Sequence, residues 1–127
     1  MTFHIEVIKI NFTAADARVD QRHTIFRVSP QGEMNMASLE TYKALIFTLL
    51  DGGMERLMLD LSGLDYIDSA GIGVLVETAK RIRANKGEVT FINVSAKLQK
   101  IFDMVHLQTF IKVSQTEGHA TNLLSFA

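Results

Sequence analysis

The sequence has no cysteine and no tryptophan, and only one proline in 127 residues. Without cysteine the chain can form no disulfide bond, thiol nucleophile or thiolate metal site. This composition is typical of a reducing compartment, so we expect a cytoplasmic protein. A chain of this length can bury about two thirds of its unfolded surface in one core. We therefore expect a single domain over residues 1–127, with no disulfide or metal needed for its stability.

Strong net charge and long apolar runs are also missing. Lysine and arginine number 13 against 14 aspartate and glutamate residues, which gives a formal net charge of -1. Such a balance attracts the protein as a whole neither to nucleic acid nor to an anionic membrane. No apolar run approaches a membrane span, and residues 1–10 lack the basic start and long apolar core of a signal peptide. We expect no nucleic acid and no membrane among its partners, which leaves recognition by local shape.

Hydrophobic periodicity predicts an α/β fold: a small mixed, mainly parallel sheet of four to five strands with amphipathic helices packed on it. The first two strands have no helix between them, so we expect them to pair antiparallel. From residue 56 onward the order strand, helix, strand, helix, strand calls for a parallel arrangement. The predicted strands cover residues 5–10, 23–28, 56–61, 89–94 and 110–113; the predicted helices cover residues 39–50, 72–82 and 98–105, with a weak helix in the tail from 117 and a loop at 11–22.

The most informative segment is residues 60–73, which runs from the end of a buried strand into the second helix. Ser69 lies where a helix presents unpaired N–H groups and the positive end of its dipole, so an oxyanion on its hydroxyl would find hydrogen-bond donors. The simpler interpretation is that Asp68 or Ser69 is only an N-cap, worth about 1 kcal/mol. Gly71 and Gly73 would then serve close packing of the helix on the sheet. Taken alone, the segment favours this second interpretation.

Three motifs, in order, resemble the STAS domain family, and most closely its anti-sigma factor antagonists. They are Gly-Glu-Met-Asn at residues 32–35, Asp-Leu-Ser-Gly at residues 60–63 and Ile-Asp-Ser-Ala-Gly-Ile-Gly at residues 67–73. The resemblance extends over about residues 6–113 and implies the STAS fold. It also implies a bacterial regulatory binding protein that is not an enzyme and uses no cofactor.

In that family the serine matching Ser69 is phosphorylated by an anti-sigma factor that is also a serine kinase of the histidine-kinase-like ATPase fold. The unphosphorylated form binds this kinase and releases the sigma factor, and a PP2C-type phosphatase restores the free serine. The resemblance thus implies Ser69 as the phosphorylation site and a docking face around it. That face comprises Gly32, Glu33, Met34, Asn35, Asp68, Ser69, Ala70, Gly71, Ile72 and Gly73.

This chain departs from the family at Asn35, where an acidic residue is usual, and in a longer segment before residue 23. Asn35 keeps hydrogen-bonding reach but loses the charge, which bears on kinase recognition. Met34 and Met36 are candidates for adaptable binding residues, although methionine equally often fills gaps in a core.

Other functions fit the sequence less well. A serine hydrolase motif would need glycine where Ile67 stands, and the four histidines (4, 23, 106 and 119) have no spacing that ties them to Ser69 or to a metal ion. A receiver domain phosphorylated at Asp60 would need an acidic pair after the first strand, which is missing. Basic residues at 80–86 suit a solvated helix end. The alternative that stays open is a STAS scaffold or adaptor of a stress-signalling assembly without an efficient phosphorylation switch.

Overall fold

The computed structural model describes residues 2–9, 24–114 and 116–125. The predicted loop at residues 11–22 lies outside this part of the chain. A short 3-10 turn, Leu107–Thr109, precedes the last strand. The strands are β1 (Thr2–Lys9), β2 (Thr24–Met34), β3 (Arg56–Asp60), β4 (Leu64–Ile67), β5 (Glu88–Ile92) and β6 (Lys112–Val113), and the helices are α1 (Leu39–Asp51), α2 (Ser69–Ala84), α3 (Ala96–Met104) and α4 (Glu117–Ser125).

The described strands form one mixed sheet in the order β1-β2-β3-β5-β6. β1 pairs antiparallel with β2, and the other pairs are parallel, as the sequence predicts. β4 is an additional sixth strand, which pairs in parallel with the far end of β2. Its four residues are too few for periodicity to identify within the segment between β3 and α2.

β2 is longer than predicted, because it continues through Pro30 to Met34 instead of ending near residue 28. Its ladder with β3 ends at Val28, and its ladder with β4 begins at Gly32. Pro30 falls between these two ladders, so neither of them needs the N–H that proline lacks. Gly32 has a φ of 108°, beside a register irregularity. Glycine adopts this conformation without steric cost, so it lets the strand continue.

The helices cover the two faces of the sheet unequally. Leucine, isoleucine and valine side chains of α1, α2 and α3 form the larger core against one face, and α4 packs on the other. All five residues of β3 are buried, which confirms the prediction that this strand is covered on both faces. The second, smaller cluster comprises Ile25, Met58, Ile92, Ala120 and Leu124. The helix predicted for the tail therefore closes a second layer, and Arg56 donates a 2.7 Å hydrogen bond from its Nε to the carbonyl of Leu124.

Candidate functional site

The pairing of β2 with β4 brings together the two halves of the predicted docking face. Glu33 is the register partner of Tyr66, and Met34 is the partner of Ile67. Each strand then leads into a helix: β2 through a four-residue loop into α1, and β4 directly into α2 at Asp68. Residues 32–35 and 68–73, far apart in sequence, therefore lie side by side at the end of the sheet where β2 and β4 finish.

Asp68 is the N-cap of α2 and also ties that helix to the loop after β2. Its Oδ1 accepts a hydrogen bond from the N–H of Gly71 at 2.9 Å, as an N-cap does. Its Oδ2 accepts from the N–H of Met36 at 3.1 Å. The backbone N–H of Asp68 donates to the carbonyl of Met34 at 3.1 Å. One residue thus fixes the start of the helix and the position of the neighbouring loop.

Gly71 lies where the start of α2 packs tightly against the ends of β2 and β4. A Cβ atom at this position would be 2.7 Å from the Cγ1 of Ile67 and 2.8 Å from the carbonyl oxygen of Met34. Both distances are shorter than carbon contacts allow, so only glycine fits without movement. Gly73 differs, because a Cβ atom there would meet nothing within 4 Å. Close packing therefore explains Gly71 and does not explain Gly73.

The loop between β2 and α1 is held by its own polar side chains. The Oδ1 of Asn35 accepts hydrogen bonds from the N–H groups of Ala37 at 2.9 Å and Ser38 at 3.1 Å. The hydroxyl of Ser38 donates to the carbonyl of Glu33 at 2.5 Å and accepts from the N–H of Asn35 at 3.0 Å. An aspartate at residue 35 could accept the same two bonds. The asparagine therefore keeps the turn geometry, removes the charge and adds an amide donor, whose Nδ2 lies 3.4 Å from the Oε2 of Glu33.

Ser69 is exposed and is the first residue of α2. Within the described residues its hydroxyl has no hydrogen-bonding partner, because Asp68 provides the cap. The hydroxyl stands at the positive end of a 16-residue helix. A group attached to it would face solvent and need not displace any core residue.

The surface around Ser69 combines acidic and apolar side chains. Met36 is 77% exposed and Tyr66 is 43% exposed, which makes them two of the few large apolar side chains on the described surface. The Nζ of Lys97, on α3, lies 6.0 Å from the centre of the Tyr66 ring. The side chains of Glu33 and Asp65 are exposed beside them.

Burial divides the ten residues predicted for the docking face. Met34 is 0% exposed and belongs to the core, and Gly71 is buried under the start of α2. A partner could therefore contact neither Met34 nor Gly71 directly, and both residues lie beneath the docking face. Glu33, Ser69 and Gly73 are exposed, while Gly32, Asn35, Asp68, Ala70 and Ile72 are partly exposed. Sequence reasoning missed Tyr66 and Lys97, since neither belongs to a motif.

Asp60, the conceivable phosphoacceptor of a receiver domain, is occupied by structural contacts. Its Oδ2 accepts a 2.6 Å bond from Arg27, and its Oδ1 accepts from the N–H of Ser62 and the amide of Asn93, both at 3.0 Å. Burial raises the pKa of Asp60, but the hydrogen bonds from Ser62, Asn93 and Arg27 outweigh it and hold this pKa below its usual value. Its carboxylate is therefore part of a buried network.

Other chemistry has little support among the described residues. They contain no cluster of three or more histidine, cysteine or acidic side chains that could hold a metal ion. Within the same residues, no helix combines the length and apolar character required to cross a membrane. The groups that the described residues provide at Ser69 are its hydroxyl, the N-terminus of α2 and a surface of acidic and apolar side chains.

Comparisons with known proteins agree with this geometry. A model of the STAS domain family matches residues 14–120. BtrV of Bordetella bronchiseptica is 35% identical over 90 residues, 71% of this chain and 78% of that protein. The anti-sigma-B factor antagonist of Bacillus subtilis is 30% identical over 101 residues, 79% of this chain and 92% of that protein.

Solved structures share the fold at lower identity. A structure of a Thermotoga maritima protein covers 84% of this chain, and 89% of its own chain is matched, with a TM-score of 0.75 and 24% identity. The structure of the anti-sigma factor antagonist SpoIIAA in its unphosphorylated form has a TM-score of 0.66 at 20% identity, and 96% of each chain is covered. At these identities the similarity establishes the architecture alone.

Proposed function

This chain belongs to the STAS domain family, and we propose that it is an anti-sigma factor antagonist that is switched by phosphorylation of Ser69. We further propose that the unphosphorylated form binds an anti-sigma factor, which is also a serine kinase of the histidine-kinase-like ATPase fold, and thereby releases the sigma factor. The observation that carries the proposal is the free, exposed hydroxyl of Ser69 at the start of α2. The name of the Bacillus subtilis relative supports the same function.

The proposed docking face is the accessible part of the surface around Ser69. Glu33, Met36 and Tyr66 lie on one side of the serine along β2, its loop and β4. Ile72 lies one turn further along α2. Methionine and tyrosine, such as the exposed Met36 and Tyr66, are enriched in the cores of protein interfaces. The acidic groups beside them favour a partner with basic residues at the rim of its interface.

Electrostatics explain how one phosphate would end this binding. A phosphate on Ser69 adds a charge of about -1.5 to -2 next to Asp68 and near Asp65. In the free protein the helix N-terminus and water stabilise this charge. Docking would remove the water, and burying an unpaired dianion costs several kcal/mol. A loss of about 4 kcal/mol weakens binding about a thousandfold, so no refolding of the domain is required.

The proposal assigns the chemical steps to the partners. The kinase supplies ATP and transfers the phosphoryl group, and a PP2C-type phosphatase removes it. The chain itself is then a binding protein rather than an enzyme, and we propose that residues 1–127 contain one STAS domain. Asn35 holds its loop by hydrogen bonds to Ala37 and Ser38 that need no negative charge. Its substitution for an acidic residue is therefore compatible with an intact docking face.

The test compares Ser69→Asp and Ser69→Ala for binding to the cognate anti-sigma factor by calorimetry. We expect Ser69→Asp to lose the partner and Ser69→Ala to keep it. Thr116→Asp is a matched control, because Thr116 is exposed and accepts a hydrogen bond from the N–H of His119 at the start of α4, where aspartate is an equally good cap. α4 packs on the other face of the sheet from α2 and α3. The variant adds the same charge at another helix N-terminus and should leave binding unchanged.

Phosphorylation itself is tested by mass spectrometry after incubation with the cognate kinase and ATP. We expect one phosphate, on Ser69, and none on the Ser69→Ala variant. Equal binding of Ser69→Asp and Ser69→Ala, together with no phosphate on Ser69, would reject the switch and favour the scaffold or adaptor function.

A further inference from the structure

β1 stands at the edge of the sheet, and no described strand pairs with its outer side. Ile5 is 44% exposed and Val7 is 51% exposed, and both point to the same face as Phe3. Phe3 packs against the main core, with its ring centre 6.3 Å from that of Tyr42. Among the described residues, the eight-residue strand therefore has no pairing partner on its outer side, and its apolar strip continues from the core.

We propose that a second copy of this chain pairs with it here, β1 against β1 in antiparallel orientation, to form a symmetric dimer with one continuous sheet. A long, apolar and unpaired edge strand is a template for pairing with another strand. β1 has no proline, and its two charged residues, Glu6 and Lys9, stand among apolar side chains at Phe3, Ile5, Val7 and Ile8. Identical strands related by a twofold axis present the same surface to each other.

Symmetry restricts the register of this pairing. Opposite residues in an antiparallel pair point to the same face of the sheet. A twofold axis perpendicular to the sheet must therefore pass midway between one residue and the same residue of the other copy. With the axis at Ile5, this residue faces Ile5 of the other copy and Phe3 faces Val7. On the other face of the sheet, His4 then lies opposite Glu6. The apolar strip of Phe3, Ile5 and Val7 then continues across the dimer, and each Glu6 lies beside the His4 of the other copy.

Neighbouring registers lack this complementarity. An axis at Glu6 places two carboxylates opposite each other, which is unfavourable. An axis at Val7 places Glu6 opposite Ile8. An axis at His4 pairs only residues 2–6 and leaves Val7 and Ile8 without a partner in the other copy of β1. Glu6 also contacts Arg27 of its own chain, with an oxygen 3.3 Å from the guanidinium. Its charge is therefore held on the face where His4 of the second copy would lie.

This dimer would not cover the proposed docking face. Ser69 lies at the start of α2, beyond the end of β4, whereas the pairing uses the free side of β1. Self-association can be measured without any partner protein, so its outcome is separate from that of the switch at Ser69.

Because the chain contains no cysteine, single cysteines can test the register directly. In the proposed register two Ile5→Cys residues are directly opposite, about 4.5 to 5.5 Å apart between Cα atoms, which suits a disulfide bond. Val7→Cys is the matched control on the same face. The two copies of residue 7 would be offset by four residues, about 13 Å, which is too far for a disulfide. We expect mild oxidation to produce a covalent dimer of full-length Ile5→Cys and none of Val7→Cys.

Sedimentation velocity of the unmodified chain tests the dimer without crosslinking. We expect a concentration-dependent shift from monomer to dimer that is lost in Ile5→Lys, which places two cations opposite each other at the axis. Circular dichroism identifies a variant that has failed to fold. In that case His4→Glu tests the same edge, because it places a carboxylate opposite Glu6 of the other copy and should also weaken the dimer. A monomer at all concentrations, or equal crosslinking of the two cysteine variants, would overturn the proposal.

Discussion

Two helices of this domain begin in nearly the same way, and their differences define the site. Both α2 and α3 follow a strand and have an extended residue as N-cap, whose side chain accepts a hydrogen bond from the N–H three residues on. Ser95, the cap of α3, accepts only from Leu98 at 3.2 Å. Asp68, the cap of α2, accepts from Gly71 and also from Met36, in another loop.

This second bond changes what the helix start can do. At α3 the cap bonds only to its own helix, and the third helical residue, Leu98, is buried in the core. At α2 the cap joins two elements, the third residue is Gly71, and an exposed serine is left without a capping role. A helix N-terminus becomes a candidate site here because its cap also positions a neighbouring loop, which the simple capping function does not require.

The largest effect is expected from Asp60, at the end of β3, whose carboxylate joins the segments that lead to the two helices. Its carboxylate accepts from Ser62 on the α2 side and Asn93 on the α3 side, and pairs with Arg27. We expect Asp60→Asn to lower the free energy of unfolding by about 2 to 3 kcal/mol at neutral pH, since it removes the charged acceptor of Arg27.

The pH dependence of this effect has a definite sign. The pKa of Asp60 is lower in the folded protein than its usual value. The stabilisation is therefore present above the usual value, about 3.9, and is lost as the pH falls through the folded-state pKa. Urea unfolding of both proteins from pH 7 down to pH 3 should show the difference shrinking below about pH 4. A constant difference over this range would contradict the assignment.

A smaller effect is expected at the two glycines of α2. Gly71→Ala forces a methyl group against Ile67 and the carbonyl of Met34, so we expect a loss of about 2 kcal/mol. Gly73→Ala is the matched control: its methyl group meets nothing, and alanine favours a helix interior by up to about 1 kcal/mol. Urea denaturation of the two variants should move the midpoint in opposite directions, and a shared direction would refute the close approach at Gly71.

The smallest expected difference in stability is between variants of the two N-caps, Asp68 of α2 and Ser95 of α3. Ser95→Ala loses one cap bond, worth about 1 kcal/mol. Asp68→Ala loses its cap and the bond to Met36, so we expect about 2 kcal/mol. Asp68→Asn should lose about half as much as Asp68→Ala, because asparagine is a good N-cap but has only one acceptor oxygen. Equal losses for the two alanine variants would mean that the link to Met36 contributes nothing.

Much of the fold was predictable because local periodicity and core burial agree in this chain. The buried strand β3, the amphipathic helix α1 and its end at Gly52 follow from sequence pattern. The course of β2 was not predictable, since proline usually ends a strand and only the gap between two partners allows Pro30 here. β4 was missed for a related reason: a four-residue strand has too few residues to show a period.

For the candidate site, the sequence by itself determined that a serine follows a capping aspartate at the start of a helix, because side-chain capping acts within a few residues of the chain. It also determined the motifs that resemble the STAS family. Only the tertiary structure decided that Asp68 meets the loop at Met36 and that Met34 is buried while Met36 and Tyr66 are exposed. It also decided that, of the two glycines in α2, Gly71 is packed closely and Gly73 is not. These properties depend on the pairing of β2 with β4, a contact between segments about 30 residues apart whose register no local pattern encodes.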